Sequence, residues 1–598
     1  MRNLALDIMD AAVEYGDAVA LRRRVDDVYM EMTYRQLAWN IDRCGGALVD
    51  LGLAVGDRVA IFSPNLPEWF VADYGTLSVG GVSVPIYATN TTDQAAAIVD
   101  DSGARIICAG TANELAIARE LLKRCDALTT IIALAPGLEA EGDGVHTLAG
   151  LLEGEVAAAT RAELATRRAA AGMDDLATII YTSGTTGIPK GVMLRHRNFN
   201  NQFTTLDTRF EVGPHDRSLC FLPLSHVYER SWSAYTFLKG VENTVLSNPR
   251  EVVEALATVR PTVMVSAPRL YEKANSAIMT RVEAAPPLRR KLFHWAIDVG
   301  HTYHTARYGG ESPGLAVRLK YAVADRLVLT KVRNVMGGPK NFFSSGGAAL
   351  ARPVEEFFLS LGLLICQGYG LTETAPMLTA NSPGAFRFGT VGKPVDEVEI
   401  RIGEEGEIQV KGPNVMDGYW NKPEATAEAF IDGWFRTGDV GHLDDDGYLV
   451  ITDRIKDLIV TSGGKNVAPQ RIEALIGRDH YIDQMAVVGD RQKFVSAIVV
   501  PAFAALQDFA EQKKLQFADH EELIRLPEVV ELYANRIREA GRNLAPFEKV
   551  KRFTLVAKEF SQAAGEITPT LKVRRRVITK KYHDLIERMY RPEAGGSE

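Results

Sequence analysis

The stretch Tyr181–Gly191, which reads YTSGTTGIPKG, constrains the fold of this 598-residue chain more than any other. It follows a short apolar run, Leu176–Ile180, of the kind that forms a buried parallel strand. A strand that leads into hydroxyl side chains and glycines presents backbone N–H groups to an anion, and Lys190 adds a positive charge. The stretch therefore predicts a loop that holds a polyphosphate. It is not a Walker A loop, because Pro189 precedes the lysine and Gly191 follows it. For such a motif alone, a flexible Ser/Gly linker is the alternative.

Bulk composition excludes several classes of protein. A chain of this length is too long to fold around one hydrophobic core, so we expect at least two domains. With 46% apolar and 24% charged residues it has a globular composition, and its net charge of −8 gives no argument for nucleic-acid binding. Its five cysteines form no CxxC pair, which argues against a zinc site or a disulfide framework.

The N-terminal stretch carries acids where a signal peptide needs an apolar core, and no apolar run approaches the roughly 18 residues of a membrane span. We predict a cytoplasmic location and leave peripheral contact with the inner face of the membrane open.

The order of strands and helices predicts the fold class. Residues 1–170 alternate helical stretches with short apolar strands such as Arg58–Ser63 and Ser83–Tyr87, and this βα rhythm predicts mostly parallel sheets covered by helices. From Asp453 onwards short strands alternate with polar helices, as in a small α+β module. We therefore predict an α/β fold with a large N-terminal domain, residues 1–452, and a small mobile α+β C-terminal domain, residues 453–598. The hinge is expected at residues 453–456.

Three further side chains are candidates for binding a substrate or a metal ion. His226 lies between Pro223 and an aromatic pair, which favours the wall of a site where it could orient a carboxylate. The alternative is a satisfied, partly buried histidine. Glu373 is flanked by threonines and suits a Mg²⁺ that bridges phosphate oxygens, or else is an N-terminal acid of a helix that Thr372 caps. Asp439 ends a predicted strand before a hairpin and could accept ribose hydroxyls, or could be a turn aspartate.

Together these stretches resemble the AMP-forming adenylating superfamily of acyl-CoA synthetases, luciferases and peptide-synthetase adenylation domains. The motifs that carry the resemblance occur in the family's order: YTSGTTGIPKG, LPLSH, SSGGAAL, GYGLTE, GWFRTGD, DRIKDLIVTSGGKN and TPTLK. Within the superfamily the chain is similar to the long-chain fatty acid–CoA ligase branch. That similarity rests on VPIYATNT (Val84–Thr91), the long helical insertion between Pro268 and Asn341, and the C-terminal ITPTLKVRRRVITKKYHDLIERMY.

The resemblance implies two half-reactions. A fatty carboxylate attacks the α-phosphorus of ATP to give an acyl-adenylate and pyrophosphate, and the thiol of coenzyme A then displaces AMP. Catalytic roles fall to Lys572, which bridges the carboxylate and the α-phosphate, and to Glu373 and His226. Mg²⁺ is expected on Thr182 and Glu373. The residues implied for ATP and AMP are Thr182, Ser183, Gly184, Thr185, Thr186, Gly187, Lys190, Gly347, Gln367, Gly368, Tyr369, Thr372, Asp439, Arg454 and Lys456.

The resemblance also divides these residues by task. Tyr369 is expected to stack on adenine, with Gly347, Gln367 and Gly368 lining the base pocket, while Asp439 and Arg454 hold the ribose. The C-terminal domain is expected to turn about Lys456 and present Ser462, Gly463 and Gly464 to the coenzyme A channel. Trp232 matches a residue that gates the acyl tunnel, with simple packing against the apolar wall as the alternative.

The implied partners are a fatty acid, ATP and coenzyme A, with no nucleic acid, and the implied assembly is a monomer or a homodimer. Several rival functions remain open from sequence. A fatty acyl-AMP ligase would load a carrier-protein phosphopantetheine, and a medium-chain or aromatic acid–CoA ligase would use another acid. A non-catalytic acyl or nucleotide sensor is a rival of a different class. Nothing in the sequence favours a luciferase-like oxygenase.

Overall fold

A computed structural model gives the fold of the chain. It describes residues 3–25, 28–153, 155–182, 189–455, 458–463, 465–562, 564–568 and 573–591. Among the described helices, none is both long and apolar enough to cross a lipid bilayer.

The first half of the chain alternates helices and strands as the sequence predicts. Its elements are α1 (Leu4–Tyr15), β1 (Val19–Val25), β2 (Val28–Thr33), α2 (Tyr34–Asp50), β3 (Arg58–Ser63), α3 (Pro67–Ser78), β4 (Val82–Tyr87), α4 (Thr92–Ser102), β5 (Ile106–Ala109), α5 (Ala112–Arg124), β6 (Thr130–Ala133), β7 (Val145–Thr147), α6 (Leu148–Leu152), α7 (Ala158–Ala170), β8 (Leu176–Thr182), β9 (Lys190–Arg195), α8 (His196–Arg209), β10 (Arg217–Cys220), α9 (Val227–Leu238), β11 (Glu242–Val245), α10 (Val252–Val259), β12 (Val263–Ser266), α11 (Pro268–Glu283), α12 (Pro287–Tyr308), α13 (Leu315–Ala324) and α14 (Thr330–Arg333).

The second half is richer in strands. Its elements are β13 (Phe342–Ser345), α15 (Arg352–Ser360), β14 (Ile365–Gly370), β15 (Met377–Ala380), β16 (Lys393–Pro394), β17 (Glu399–Ile402), β18 (Glu407–Lys411), α16 (Pro423–Ala429), β19 (Phe430–Ile431), β20 (Trp434–Leu443), β21 (Leu449–Arg454), β22 (Ile459–Val460), β23 (Asn466–Val467), α17 (Pro469–Ile476), β24 (Ile482–Val488), β25 (Ser496–Pro501), α18 (Phe503–Lys513), α19 (His520–Leu523), α20 (Pro527–Ala540), β26 (Arg552–Leu555), α21 (Arg575–Lys581) and α22 (His583–Tyr590).

The largest sheet carries the predicted phosphate loop. Within the described ranges its strand order is β7-β6-β5-β3-β4-β8-β9, and neighbours pair in parallel except β8 with β9. Its inner strands, such as β3 and β4, are almost wholly buried. Helices cover both faces of a parallel sheet, so such strands are continuous apolar runs. Thr182 and Lys190 pair across the antiparallel β8–β9 ladder. The predicted loop thus joins two neighbouring strands at one end of this sheet.

A second sheet separates the site from the helical insertion. Strands β12, β13 and β14 pair in parallel, and β15 and β16 continue the sheet with antiparallel pairing. Side chains alternate across these strands. Val265, Phe342 and Cys366 face a large cavity, whereas Met264, Phe343 and Ile365 belong to the apolar core beneath α11–α15.

Two other sheets depart from a purely parallel arrangement. In one, β10, β11 and β1 are parallel, while β2 adds an antiparallel edge. In the other, β17, β18, β20, β19 and β21 are all antiparallel. The hairpin predicted around Asp444–Tyr448 is confirmed, because Asp444 Oδ1 accepts the backbone N–H groups of Asp446 and Tyr448 at the turn. The remaining strands of this sheet were not predicted, since their apolar residues are spread among polar ones.

The C-terminal part is a small α+β unit. It has a sheet of order β24-β25-β26 and its own apolar cores beneath α17–α20 and α21–α22. Strand β21 of the preceding sheet reaches Arg454, two positions beyond the predicted boundary. The α/β fold, with a large N-terminal region and a smaller α+β unit, is confirmed.

Candidate functional site

A cavity of about 1110 Å³ lies where the N-terminal sheets meet the C-terminal unit. The C-terminal unit contributes Gln562, Gly565, Ile567, Thr568 and Arg574 to its lining. Most of the predicted site residues that the structure describes line this one cavity: Thr182, Lys190, His226, Trp232, Gly347, Gly368, Tyr369, Thr372, Glu373 and Arg454. Part of the VPIYATNT segment also lines it, through Pro85, Tyr87, Thr89 and Asn90.

Several predicted residues lie outside the described residues. They are Ser183, Gly184, Thr185, Thr186, Gly187, Lys456, Gly464 and Lys572. The described residues on both sides of two of these segments nevertheless line the cavity. Thr182 and Pro189 bracket the phosphate loop, and Thr568 and Arg574 bracket the segment that contains Lys572.

Asp439 is the centre of a buried polar cluster. The residue is only 5% exposed, and Arg454 Nε donates to its Oδ1 at 2.6 Å. The Tyr369 hydroxyl donates to the other carboxylate oxygen at 2.7 Å. Burial, reinforced by the Asp439 charge, raises the pKa of Tyr369 well above its usual value, so the phenol remains a donor. Tyr369 therefore orients Asp439 in addition to presenting its ring to the cavity, a link that the sequence analysis missed.

Gln367 does not lie in the base pocket, where the sequence predicted it. It is buried but is not part of the cavity lining, and its amide bonds to groups behind the wall. Its Nε2 donates to Glu355 Oε1 at 2.7 Å, and its Oε1 accepts the Leu350 N–H at 2.8 Å. Glu355 also accepts the Gly389 N–H, and burial raises the pKa of its carboxyl to about 7. Gln367 thus ties the loop after β13 to α15, while its neighbour Gly368 faces the cavity.

Two glycines in the loop after β13 are required for different structural reasons. Gly347 has φ +80°, a backbone conformation that favours glycine. At Gly346 an added Cβ would stand 3.0 Å from the ring of Tyr228. The Tyr228 hydroxyl lies 2.7 Å from Ser344 Oγ, which holds this ring against the loop.

Glu373 lines the same cavity as Thr182 and is oriented by a residue that the sequence did not predict. The Tyr419 hydroxyl donates to Glu373 Oε1 at 2.9 Å. The same tyrosine ring lies beneath Lys190, with Nζ 4.8 Å from the ring centroid. Burial raises the pKa of Glu373, and the Tyr419 hydrogen bond opposes that rise. The only local signal for Tyr419 was its place in a Gly-Tyr-Trp turn, Gly418–Trp420.

The chemistry of this corner suits Mg²⁺. The described residues contain no group of three or more histidine, cysteine or acidic side chains placed to hold a metal. Mg²⁺ sites of nucleotide enzymes need fewer, because the ion keeps its waters and takes phosphate oxygens alongside one or two protein ligands. Glu373 and Thr182, which both line the cavity, fit that donor set.

The sequence left two interpretations of His226 open, and its surroundings show features of both, while its role towards a carboxylate stays a prediction. It is partly buried and caps α9, with its Nδ1 accepting the Tyr228 backbone N–H at 3.2 Å, and it also lines the cavity. Helix α9 is fixed by a buried ion pair between Arg230 and Asp73 at 2.7 Å. Glu229 on the same helix accepts the Leu222 N–H, which holds the preceding loop.

Trp232 lies on the apolar side of the cavity. Its Nε1 donates to Ser218 Oγ at 3.0 Å, and its ring meets Phe342 edge-on with 5.9 Å between centroids. Phe342 in turn stacks on Phe210 at 4.3 Å, and Val265 continues this surface. A polar end with charged residues and an apolar end with aromatic residues therefore share one cavity.

Two predicted channel residues are not at the cavity. Ser462 and Gly463 are exposed in the turn between β22 and β23, where the Ser462 N–H donates to the Gln492 carbonyl. In this conformation they lie on the outer surface of the C-terminal unit.

Comparison with known proteins agrees with this arrangement. Residues 8–420 match the AMP-binding enzyme family, and residues 456–594 match the AMP-binding enzyme C-terminal domain. The long-chain-fatty-acid–CoA ligase FadD15 of Mycobacterium bovis is 36% identical over 597 residues, which cover 99% of this chain and 97% of that protein. The long-chain-fatty-acid–CoA ligase ACSBG1 of Homo sapiens is 29% identical over 623 residues, with 98% and 84% coverage.

Solved structures share the fold. The adenylation domain of a carboxylate reductase from Mycobacterium chelonae superposes with a TM-score of 0.77 at 20% identity, covering 98% of this chain and 91% of that one. ATP-bound MatB from Rhodopseudomonas palustris gives a TM-score of 0.66 at 25% identity, with 98% and 99% coverage. The resemblance inferred from ordered motifs is thereby confirmed, and the chain belongs to the AMP-binding enzyme family.

Proposed function

We propose that this enzyme activates a long-chain fatty acid with ATP, forming an acyl-adenylate and then acyl-CoA, with release of pyrophosphate and AMP. The observation that carries the proposal is the single cavity with two chemically different ends. Lys190, Glu373 and Arg454 stand at the polar end, while Phe342 and Trp232 form the apolar end. Relatives named long-chain-fatty-acid–CoA ligases, 36% identical over nearly the whole chain, support the choice of acid.

The residues of the polar end suit the first half-reaction. A carboxylate is a poor electrophile, and its attack on a phosphate brings two anions together. Lys190 and the loop before it would hold the β- and γ-phosphates, and bound Mg²⁺ on Glu373 and Thr182 would neutralise charge on them. Asp439, held by Tyr369 and Arg454, would accept the ribose hydroxyls.

Lys572 is proposed to bridge the fatty carboxylate and the α-phosphate. The described residues Thr568 and Arg574, on either side of it in the sequence, line the cavity, and this supports the proposal. Ser462 and Gly463 are exposed here, which suits the first half-reaction only. The second would require the C-terminal domain, residues 453–598, to turn about Lys456 and bring this turn to the site.

The direct test measures AMP and pyrophosphate release with acetate, octanoate, palmitate and benzoate, with and without coenzyme A. We expect AMP release that needs both palmitate and coenzyme A. Pyrophosphate exchange without thioester formation would favour the carrier-protein rival, and a preference for octanoate or benzoate would favour another acid. Nucleotide binding with no turnover on any acid would favour the sensor.

Two lysine variants separate the half-reactions. Lys572→Ala should abolish adenylation and still allow preformed acyl-adenylate to react with coenzyme A. Lys456→Pro should leave pyrophosphate release largely intact and block thioester formation. Normal adenylation by the first variant, or equal losses in both steps by the second, would contradict these roles.

We further propose that the enzyme is cytoplasmic, is a monomer or a homodimer, and contacts the inner face of the membrane peripherally. Fractionation of cells and sedimentation velocity of the purified protein test these two points. A protein found outside the cytoplasm, or a larger assembly, would contradict them.

A further inference from the structure

The helical insertion between β12 and β13 carries an apolar stripe on its outer surface. On α13, Leu315, Leu319 and Val323 follow each other at four-residue intervals and are 73%, 63% and 52% exposed. Leu327 continues the series in the π-helical turn Asp325–Leu329, where it is 46% exposed. Residues four apart share one helix face. Single exposed apolar residues are ordinary on protein surfaces, but four along one face form a patch that needs an explanation.

The opposite face of α13 is fixed to the protein. Tyr321 stacks on Tyr303 of α12 with 3.9 Å between ring centroids, and its hydroxyl lies 3.1 Å from His304 Nε2. Ala324 and Leu329 are buried in the core beneath the insertion. The inner face of α13 is therefore already packed on the protein, and its outward apolar stripe is additional to that core-facing side.

The beginning of α12 repeats the same surface chemistry. Leu288 is 80% exposed, and Leu292 and Trp295 follow on the same helix face at 38% and 36%. Tryptophan is enriched where a protein meets the boundary between lipid headgroups and acyl chains. Arg289 and Arg290 lie next to this second stripe.

Charge identifies the kind of partner. Residues 287–335 contain nine Lys/Arg and three Asp/Glu, in a chain whose net charge is −8. Arg318 and Arg326 are exposed and flank the α13 stripe, and Lys331 follows it. A positive, apolar helix surface on an otherwise acidic protein is complementary to anionic lipid, which offers negative headgroups above an apolar layer.

We propose that this insertion surface, formed by the exposed stripes of α12 and α13 with their flanking basic residues, docks on an anionic lipid bilayer. The apolar side chains enter the boundary of the acyl layer while the arginines and lysines meet the headgroups. The helices remain in the plane of the surface, because their inner faces stay packed on the protein.

This placement has a consequence for the site. The core under the insertion rests on Phe343 and Ile365, while Phe342 and Cys366 on the same two strands face the cavity. The apolar end of the cavity is thus one sheet away from the docked surface. The inference rests on the peripheral membrane contact of the proposed function and names the surface that makes it. The identity of the acid does not enter it, so the docking surface and the acid specificity can be tested separately.

The test measures co-sedimentation of the full-length protein with vesicles of phosphatidylglycerol and with vesicles of phosphatidylcholine. We expect binding to phosphatidylglycerol that weakens with salt and is much lower on phosphatidylcholine. Leu319→Asp should weaken binding at least about tenfold, because it removes an inserted apolar group and adds a repelled charge. The pair Arg318→Glu and Arg326→Glu should weaken it by a similar factor and reduce the salt dependence.

Matched controls lie elsewhere on the surface. Val253→Asp changes an exposed apolar residue of α10, and Arg538→Glu changes an exposed arginine of α20; both should bind within about twofold of wild type. Far-ultraviolet circular dichroism and activity on detergent-dispersed acid should be unchanged in all these variants. A milder double variant, Leu315→Ser with Leu319→Ser, should also weaken binding if the Asp variant misfolds.

Three results would overturn the proposal. Wild type could fail to bind phosphatidylglycerol vesicles, or Leu319→Asp could bind as tightly as Val253→Asp. Alternatively, sedimentation velocity could show a wild-type dimer that Leu319→Asp converts to monomer without any vesicle binding, which would make a second copy of the chain the occupant.

Discussion

Replacing Tyr369 by phenylalanine tests whether this residue acts through Asp439 as well as through its ring. The variant keeps the aromatic face toward the cavity and removes only the hydroxyl, which donates to Asp439 Oδ2 at 2.7 Å. Arg454 Nε remains bonded to Oδ1. The change therefore isolates one charge-assisted hydrogen bond.

The size of the effect follows from that geometry. A hydrogen bond to a charged group contributes about 1.5–3 kcal/mol. Since Arg454 still holds Asp439 in the variant, the lower value applies, and about 1.4 kcal/mol corresponds to a tenfold change. We expect the KM for ATP to rise about tenfold in Tyr369→Phe, with kcat reduced less than about threefold, because orienting the ribose acts on ground state and transition state alike.

The assay is ATP–pyrophosphate exchange with palmitate, run with ATP and with 2′,3′-dideoxy-ATP. If Tyr369 acts by positioning Asp439 on the ribose, the loss caused by the variant should largely disappear with the dideoxy nucleotide. Tyr303→Phe, which makes the same chemical change on α12 away from the cavity, is the control. An equal loss with both nucleotides, or no loss with ATP, would refute the positioning role and leave Tyr369 as a surface for the base alone.

Three further variants test other contacts of the site. Tyr419→Phe removes the hydrogen bond that opposes the raised pKa of Glu373, so the acid limb of the pH–rate profile should move to higher pH and half-saturation by Mg²⁺ should rise several-fold; an unmoved limb would contradict this. Trp232→Ala should broaden the chain-length profile measured across C8–C18 acids and lower stability by about 3–5 kcal/mol, whereas an unchanged profile would leave Trp232 as a packing residue. Burial raises the pKa of Glu229 from 4.5 to about 8, so its native state holds a proton that the unfolded chain loses, and wild-type stability should fall as pH rises between these values. Glu229→Gln keeps the acceptor for the Leu222 N–H without that penalty, so its Tm relative to wild type should increase from pH 4.5 to pH 8; a constant Tm difference would show that Glu229 is ionised when buried.

Local pattern predicted much of the fold. Continuous apolar runs such as Arg58–Ser63 identified the strands of the parallel sheet, because a strand buried on both faces needs apolar residues at every position. The antiparallel strands of residues 399–454 were missed apart from one hairpin, since strands with one exposed face mix polar and apolar residues over short lengths. Strands β1 and β2 were missed for the same reason, with arginines and glutamates among their residues.

The candidate site divides in a similar way. Short motifs predicted a nucleotide site, and four of its predicted residues, Thr182, Lys190, Tyr369 and Glu373, line one cavity. The sequence placed Gln367 in the same lining, yet its amide turns to Glu355 behind the wall. A strand directs successive side chains to opposite faces, so adjacent residues of one motif serve different surfaces.

The family, the order of the motifs and the residue types predicted to bind phosphate, ribose and an apolar acid can all be read from the amino-acid sequence. These are local properties, carried by a few consecutive residues each. The contacts between distant residues required the folded chain: Tyr369 bonds to Asp439 across 70 positions, and Tyr419 bonds to Glu373 across 46. The exposed apolar face of α13 likewise depends on how that helix packs. Such pairings depend on how distant strands register and how helices pack, and no short stretch of sequence contains that information.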